Sequence, residues 1–292
     1  MIMNMSRKLN NNLKRRRPIS VSNGPLIVDE IPPITNRPER KCMFTIMVGS
    51  SFDWMFDVTR YYMQQYADKY GIDFIVVDDN YRTDQHPCYM KQFINTLWWR
   101  YDRVFYVDAD ILILPHSPNI FDVVPPDKLG IYEEGRLYAR MCSRIHKNRT
   151  PMMQKYVALY NAALQEQRLT PVDFSAYDGR YFNAGMFICT EQTNPHRPPV
   201  GGVMRLPNSG HFDQNYLNLM IHQYQIPVYE LESKWNRLIT ADSENDGDKD
   251  MLHAYFAHYA SKGGKERMKE DIRRLVGEQL ILPNCDGKVH EG

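Results

Sequence analysis

The chain has 292 residues, 43% of them hydrophobic, enough to bury a full-sized core in one large domain or two closely joined halves. Its formal charge of +1 gives no global reason to expect nucleic acid or an acidic partner. That average conceals a basic leader: residues 1–41 hold nine Lys or Arg against three Asp or Glu, a local +6, leaving about −5 on the remainder.

The leader, residues 1–40, contains LNNNLKRRRP and the Pro-rich IPPITNRPER. It reads as a mobile extension with a short docking segment near Leu26 to Ile31. The tract KRRR suits an anionic membrane surface or nucleic acid, although a plain solvated tail is the simpler reading. No apolar signal region opens the chain and no stretch is long enough to span a bilayer. The five cysteines (Cys42, Cys88, Cys142, Cys189 and Cys285) are widely spaced without a paired metal-ligand pattern, which suggests a reducing compartment. The expectation is a cytoplasmic protein without a specific nucleic-acid partner, its leader offering peripheral membrane contact.

The ordered chain is expected to begin at CMFTIMVGSS, an apolar strand ending at Gly49-Ser50-Ser51. WMFDVTRYYMQQYADKYG follows as a helix with Met55, Val58, Tyr62 and Tyr66 on one face. IDFIVVDDN is a second strand, uniformly apolar at its centre. CYMKQFINTLWW places Met90, Phe93, Ile94, Leu97 and Trp98 on one helical stripe. RVFYVDADILIL supplies a third strand. This alternation predicts an α/β fold with a central, mostly parallel sheet, whose ligands bind outside the carboxyl ends of the strands.

Further on, MMQKYVALYNAALQEQ reads as a helix, RYFNAGMFIC as a strand and HFDQNYLNLMIHQY as a helix opening on Asp213. IPVYEL reads as a strand before KWNRLI, and MKEDIRRLVGEQL as the last helix. No internal repeat or linker divides the chain. The organisation expected is one domain over residues 41–280 and a tail over 281–292.

Asp108 and Asp110 end an apolar run, where burying two like charges without compensation is costly. On a strand, positions two apart share a face, so both can approach one ligand while Ala109 points away; a bend at the strand end, or a surface turn without a ligand, is the alternative. Carboxylate oxygens suit Mg²⁺ or Mn²⁺, with a diphosphate supplying further oxygens. Such a cation offsets charge on a nucleotide diphosphate leaving group. The same triplet also admits a haloacid-dehalogenase-like phosphatase, in which the first Asp is the nucleophile. Against that, ADILIL lacks the small hydroxyl-bearing turn usual there. No phosphate loop, dinucleotide fingerprint or spaced Cys/His cluster supports a kinase, a nicotinamide oxidoreductase or a zinc site.

Several segments together resemble glycosyltransferase family eight, whose members include glycogenin and bacterial lipopolysaccharide galactosyltransferases. They are the first strand near Met47 to Ser51, YDRVFYVDADILIL, YFNAGMFIC, FDQNYLNLM, KWNRL and AHYASKGGK, spanning about Phe44 to Lys265. The resemblance implies a GT-A-type nucleotide-sugar transferase that retains anomeric configuration. It uses Mn²⁺, with Mg²⁺ as the alternative, and takes a UDP-sugar as donor, glucose or galactose being the hexose implied. The acceptor would be a glycan, lipid-linked or protein hydroxyl.

By the same resemblance Asp108, Asp110 and His258 match the metal ligands. Met47, Gly49 and Asp78 match the region that holds base and ribose, and Lys91 a basic residue beside the nucleotide or donor sugar. Asn183, Ala184 and Gly185 match the lining of the donor sugar, while Asp213 and Gln214 match the pair near its hydroxyls and reactive carbon. The late motif departs from the family form: Ser261 and Gly264 follow His258, and Lys262 or Lys265 flanks them, with Lys265 the preferred phosphate contact.

Simpler accounts exist for several of these residues. His258 in HAYFAHY suits aromatic packing, Asn183 a turn, and Asp213 a helix start. Trp235 and Asn236 read most simply as a core Trp beside a turn Asn, with support of the crevice or contact with the acceptor as the alternative. Glu133 and Glu134, together with residues 135–170 and 193–210, belong to the acceptor side. A noncatalytic nucleotide-sugar binder is the remaining alternative.

Overall fold

Uninterrupted apolar runs suit strands covered on both faces, and the first three such runs become neighbours in one sheet. The computed structural model describes residues 38–49, 53–80, 87–134, 149–175, 177–197, 212–239 and 253–277. Strand β1 (Lys41–Ile46) pairs in parallel with both β2 (Asp73–Val77) and β3 (Arg103–Val107). Beyond β3 come β6 (Phe182–Cys189), β5 (Leu129–Glu133) and β7 (Val228–Glu230), giving the order β2-β1-β3-β6-β5-β7. In this sheet β6 runs antiparallel to both its neighbours, and the other five strands share one direction. The expected α/β domain with a mostly parallel sheet is therefore observed.

The reversal of β6 has a consequence for the site. Its first residues, Phe182 and Asn183, lie at the edge where β3 and β5 end, and Glu133 stands opposite Phe182.

Side chains alternate across the sheet as a period of two requires. Phe44, Val104, Tyr106 and Phe187 face Phe93, Ile94, Leu217 and Ile221 on one side. Met43, Phe105, Val107 and Met186 face Met63, Tyr66 and Ala67 of helix α1 (Asp53–Tyr70) on the other. Full burial of side chains this size contributes about 1.5–3 kcal/mol each, so both layers matter to stability.

Two expected elements differ in form. The segment RVFYVDADILIL is not one strand: β3 stops at Val107, the chain turns through Asp108 to Asp110, and β4 (Ile111–Ile113) joins a second sheet. That sheet has the order β4-β9-β8, with β8 (Arg237–Leu238) and β9 (Phe256–His258). The Asp pair thus sits in a turn between sheets, not on one strand face. The stripe around Met90 is buried as expected, but Pro87–Thr96 is a 3₁₀-helix. Asn95 Nδ2 and Thr96 Oγ1 bond the carbonyls three residues back, at 3.0 and 2.7 Å, which favours the tighter winding.

The remaining helices are α2 (Ile120–Val123), α3 (Thr150–Glu166), α4 (Phe212–Gln223) and α5 (Ser261–Gly277). Helix α5 begins seven residues before the expected Met268, because SKGGKER is helical despite its glycines. Gly264 is required there: a Cβ would lie 2.6 Å from Ile239 O and 2.7 Å from the Tyr259 carbonyl carbon. This close approach brings the first turns of α5 against the end of β9. Most of the leader, Ser50, Ser51, residues 135–148 and 198–210, and the tail 281–292 lie outside the described residues, as does the Lys262 side chain. No helix among the described residues is long and apolar enough to cross a membrane.

Candidate functional site

The turn after β3 is fixed by its backbone. Asp108 N donates to Gly185 O at 2.7 Å, and Ile111 N closes the turn onto Asp108 O at 3.1 Å. Ile111 pairs with His258 across β4 and β9, so the imidazole arrives beside the turn from the second sheet. Asp108, Asp110 and His258 each offer one ligand atom, all within 4.8 Å of one another.

These three residues fit a divalent cation. His258 Nδ1 lies 2.8 Å from Asn236 Oδ1, an acceptor whose own amide nitrogen donates to Asn183 Oδ1 at 2.9 Å. The proton therefore belongs on Nδ1, and in the neutral ring the Nε2 lone pair faces Asp110 Oδ1 at 3.4 Å. That carboxylate oxygen is buried and receives no hydrogen bond among the described residues. A lone pair aimed at a carboxylate oxygen is repulsive unless a proton or a metal lies between them. Two oxygens and one imidazole nitrogen form a donor set suited to Mn²⁺, with room for further oxygen ligands.

Electrostatics agree with this geometry. Burial pushes the Asp110 carboxyl up, but His258 and Lys265 outweigh it and hold its pKa below the usual value. Burial opposes charging of His258, but Asp110 outweighs it and holds that pKa above the usual value. Lys265 Nζ, on the second turn of α5, is 3.5 Å from Asp110 Oδ2.

On the β6 side, Lys91 is 4% exposed and reaches three acceptors. Its ammonium lies 2.8 Å from Asp213 Oδ2, 3.2 Å from Asp108 Oδ1 and 2.8 Å from Ala184 O, and 4.8 Å from the centre of the Tyr106 ring. The Tyr106 hydroxyl also donates to Asp108 Oδ1. Burial disfavours the Lys91 charge, but the two carboxylates outweigh it and raise its pKa. Asp213, buried in the first turn of α4, has its pKa pushed up to about 6 by burial, with Lys91 opposing.

Sequence reasoning names Glu134 only among acceptor-side carboxylates and does not reveal it as the centre of the network. Glu134, buried just past β5, accepts from Asn183 Nδ2 at 2.8 Å and Gln214 Nε2 at 2.9 Å, and Arg149 lies 3.3 Å from its other oxygen. Gln214 Oε1 in turn accepts from Ala184 N at 3.1 Å. Asn183 Oδ1 accepts from both Gly185 N, at 2.8 Å, and Asn236. Asn236 is thus more than a turn residue, whereas Trp235 is the core residue expected, packed on Tyr255 and Phe256. Helix α4 is stapled to β6 by Asn218, which bonds Phe182 N at 2.7 Å and Phe182 O at 2.8 Å.

Met47, Gly49 and Asp78 lie just past the ends of β1 and β2. Met47 N donates to Val77 O at 2.8 Å, Gly49 N approaches the Asp79 carboxylate at 3.2 and 3.3 Å, and Asp78 Oδ1 accepts from Asn80 N at 3.0 Å. These bonds organise the ends of the two strands.

Gly185 is set by contact. A Cβ there would lie 2.3 Å from His258 Cε1 and 2.8 Å from Asn183 Oδ1. Gly185→Ala is expected to displace the imidazole and so to weaken any divalent cation held by the cluster, Mn²⁺ being the probe, by about 10- to 100-fold, as loss of a metal site's supporting contacts does. Overpacking should also cost about 1–3 kcal/mol in urea unfolding. Unchanged Mn²⁺ affinity by calorimetry would show that the ring is not held by this contact.

No protein-family model matches the chain. Among curated proteins, galactinol synthase 7 of Arabidopsis thaliana is 24% identical over 190 residues, covering 64% of this chain and 50% of that protein. The chain therefore spans about half the length of the curated relative it matches. Among solved structures, a glycosyltransferase involved in glycosylation of the major capsid of PBCV-1 aligns with a TM-score of 0.48 and 11% identity, over 80% of this chain and 99% of that one. The galactosyltransferase LgtC, in complex with donor and acceptor sugar analogues, aligns at 0.46 and 13%, over 83% and 97%. The glycosyltransferase GlyE of Streptococcus pneumoniae TIGR4 aligns at 0.41 and 13%, over 84% and 65%.

Proposed function

We propose that the protein is a metal-dependent, retaining glycosyltransferase that moves a hexose, glucose or galactose, from a UDP-sugar to a hydroxyl acceptor. The observation that carries this reading is the convergence of Asp108, Asp110 and His258 where the parallel strands end, beside a network of Asn183, Asp213, Gln214 and Glu134. The curated relative, a galactinol synthase by name, lends it support.

In this reading Asp108, Asp110 and His258 would hold Mn²⁺, which would supply Lewis-acid stabilisation of charge on the departing diphosphate. Lys265 adds a point charge beside the diphosphate. Met47, Gly49 and Asp78 bound the base and ribose, at the ends of β1 and β2. Asn183, Ala184 and Gly185 line the sugar, whose hydroxyls Asp213 orients through a carboxylate anchored by Lys91. Gln214 faces the reacting carbon, oriented by bonds to Glu134 and Ala184. The bond from anomeric carbon to diphosphate oxygen breaks, the acceptor oxygen bonds on the same face, and the acceptor proton passes to the leaving diphosphate. An amide such as Gln214 is neither strong base nor obvious nucleophile, which favours this front-face route over inversion by a carboxylate base.

A screen of nucleotide sugars with and without Mn²⁺ tests the reading. Metal-dependent turnover of UDP-glucose or UDP-galactose is expected, with an α-linked product by proton NMR. Equal turnover after complete chelation would remove the metal's role. Phosphate release from simple esters without nucleotide-sugar turnover would favour a hydrolase.

A further inference from the structure

We propose that the site loads its divalent cation together with a nucleoside diphosphate, and that Lys265 is the gate against loading by the cation alone. The inference rests on the nucleotide-sugar reading above and concerns how that site fills.

Each carboxylate of the cluster already faces an ammonium. Lys91 Nζ is 3.2 Å from Asp108 Oδ1, and Lys265 Nζ is 3.5 Å from Asp110 Oδ2. Asp213, 2.8 Å from Lys91, is the third carboxylate of the group. Three carboxylates against two ammonium groups leave one net negative charge when His258 is neutral. A dication entering alone would make this partly buried cluster positive and would lie close to two lysines. A diphosphate carries two or three negative charges, so a cation arriving with it adds no net positive charge beside the lysines and gives Lys265 a new partner.

The two lysines differ in freedom. Lys91 is enclosed, with two carboxylates, a carbonyl and the Tyr106 ring around its ammonium. Lys265 has a side chain 23% exposed on a helix surface, and its four-carbon stem can swing from Asp110 to an incoming phosphate. Gly264 holds this part of α5 against Tyr259, which keeps Lys265 within reach of both positions.

Electron paramagnetic resonance of free Mn²⁺ tests the gate on the full chain, with and without UDP. The unsubstituted protein should bind Mn²⁺ weakly alone and at least about tenfold more tightly with UDP. Lys265→Met should bind Mn²⁺ alone about tenfold more tightly than the parent, the scale expected when a like charge is removed beside a dication. Its gain from UDP should shrink, and Lys265→Arg, which keeps the charge, should behave as the parent does. Lys265→Met binding Mn²⁺ alone no better than the parent would overturn the gate, and UDP-enhanced binding in both proteins would then leave the nucleotide-sugar reading standing. Equal parental affinity with and without UDP would overturn the coupling. Failure of the parent to bind Mn²⁺ under either condition would overturn the inference and that reading together.

Discussion

In the proposed reaction, Asp110→Asn is expected to lower turnover of the UDP-sugar by several hundred-fold in a protein that still folds. Asparagine keeps the shape of the side chain but removes the charge that His258 and Lys265 face at 3.4 and 3.5 Å. Removing one strong electrostatic contact at a developing oxyanion costs about 3–4 kcal/mol in other enzymes, and each 1.4 kcal/mol is about tenfold in rate. The stability cost should be smaller. Asp110 has a depressed folded pKa, so its contribution is present above the ordinary carboxylate pKa and is lost as pH falls. The parent's advantage over Asp110→Asn in urea unfolding should therefore shrink as the medium becomes acid. Single-turnover assays with saturating Mn²⁺, alongside circular dichroism, separate the two effects. Parental turnover in a folded Asp110→Asn protein would reject coordination by this carboxylate. Asp108→Asn should act in the same direction.

How far the sequence reveals the site depends on whether its signal is local. Strands β1, β2 and β3 were visible because burial on both faces demands unbroken apolar runs, and their parallel pairing brings Asp108 to the edge where strands end. A bend at the Asp pair was open as an alternative, but the passage of the chain into a second sheet was not visible. Apolar residues continue through Ile111 to Ile113, and a hydrophobic pattern cannot tell one long strand from two that join different sheets. Asp108 and Asp110, both turn-favouring, were the one local hint.

The bonds of Glu134 and Asn236 to Asn183 were hidden for another reason. Asn183 is 49 and 53 residues from those two along the chain, so no spacing rule reaches the contact. A buried Glu paired with Arg149 and two amides becomes apparent only once β5, β6 and α4 meet. The start of α5 misled in the opposite direction. Two glycines in SKGGK weaken a helix by about 1 kcal/mol each, yet Gly264 is there because β9 leaves no room for a side chain.

Lys91→Met should give the largest loss of stability, about 3–5 kcal/mol near pH 8, the range seen when one partner of a buried pair is removed. Methionine fills a similar length but leaves the Asp213 carboxylate, 5% exposed, without its ammonium at 2.8 Å. Asp108 suffers less, since its side chain is 29% exposed and water can replace the lysine. The sign of the pH dependence follows from Asp213. Its pKa is already pushed up to about 6 by burial with Lys91 opposing, so removing Lys91 raises it further. A carboxyl with a raised folded pKa binds more protons folded than unfolded. Stability then falls as pH rises from the ordinary carboxylate value to the folded one. The deficit of Lys91→Met relative to the parent should accordingly narrow from about pH 8 to about pH 5, as Asp213 takes up a proton and needs no counter-ion. Pairing Lys91→Met with Asp213→Leu should recover most of the stability, because no charge is then buried at α4, while turnover stays lost. Urea unfolding at the two pH values measures both effects. Parental stability of Lys91→Met near pH 8, or a deficit that widens on acidification, would mean that Asp213 does not depend on Lys91 for its charge.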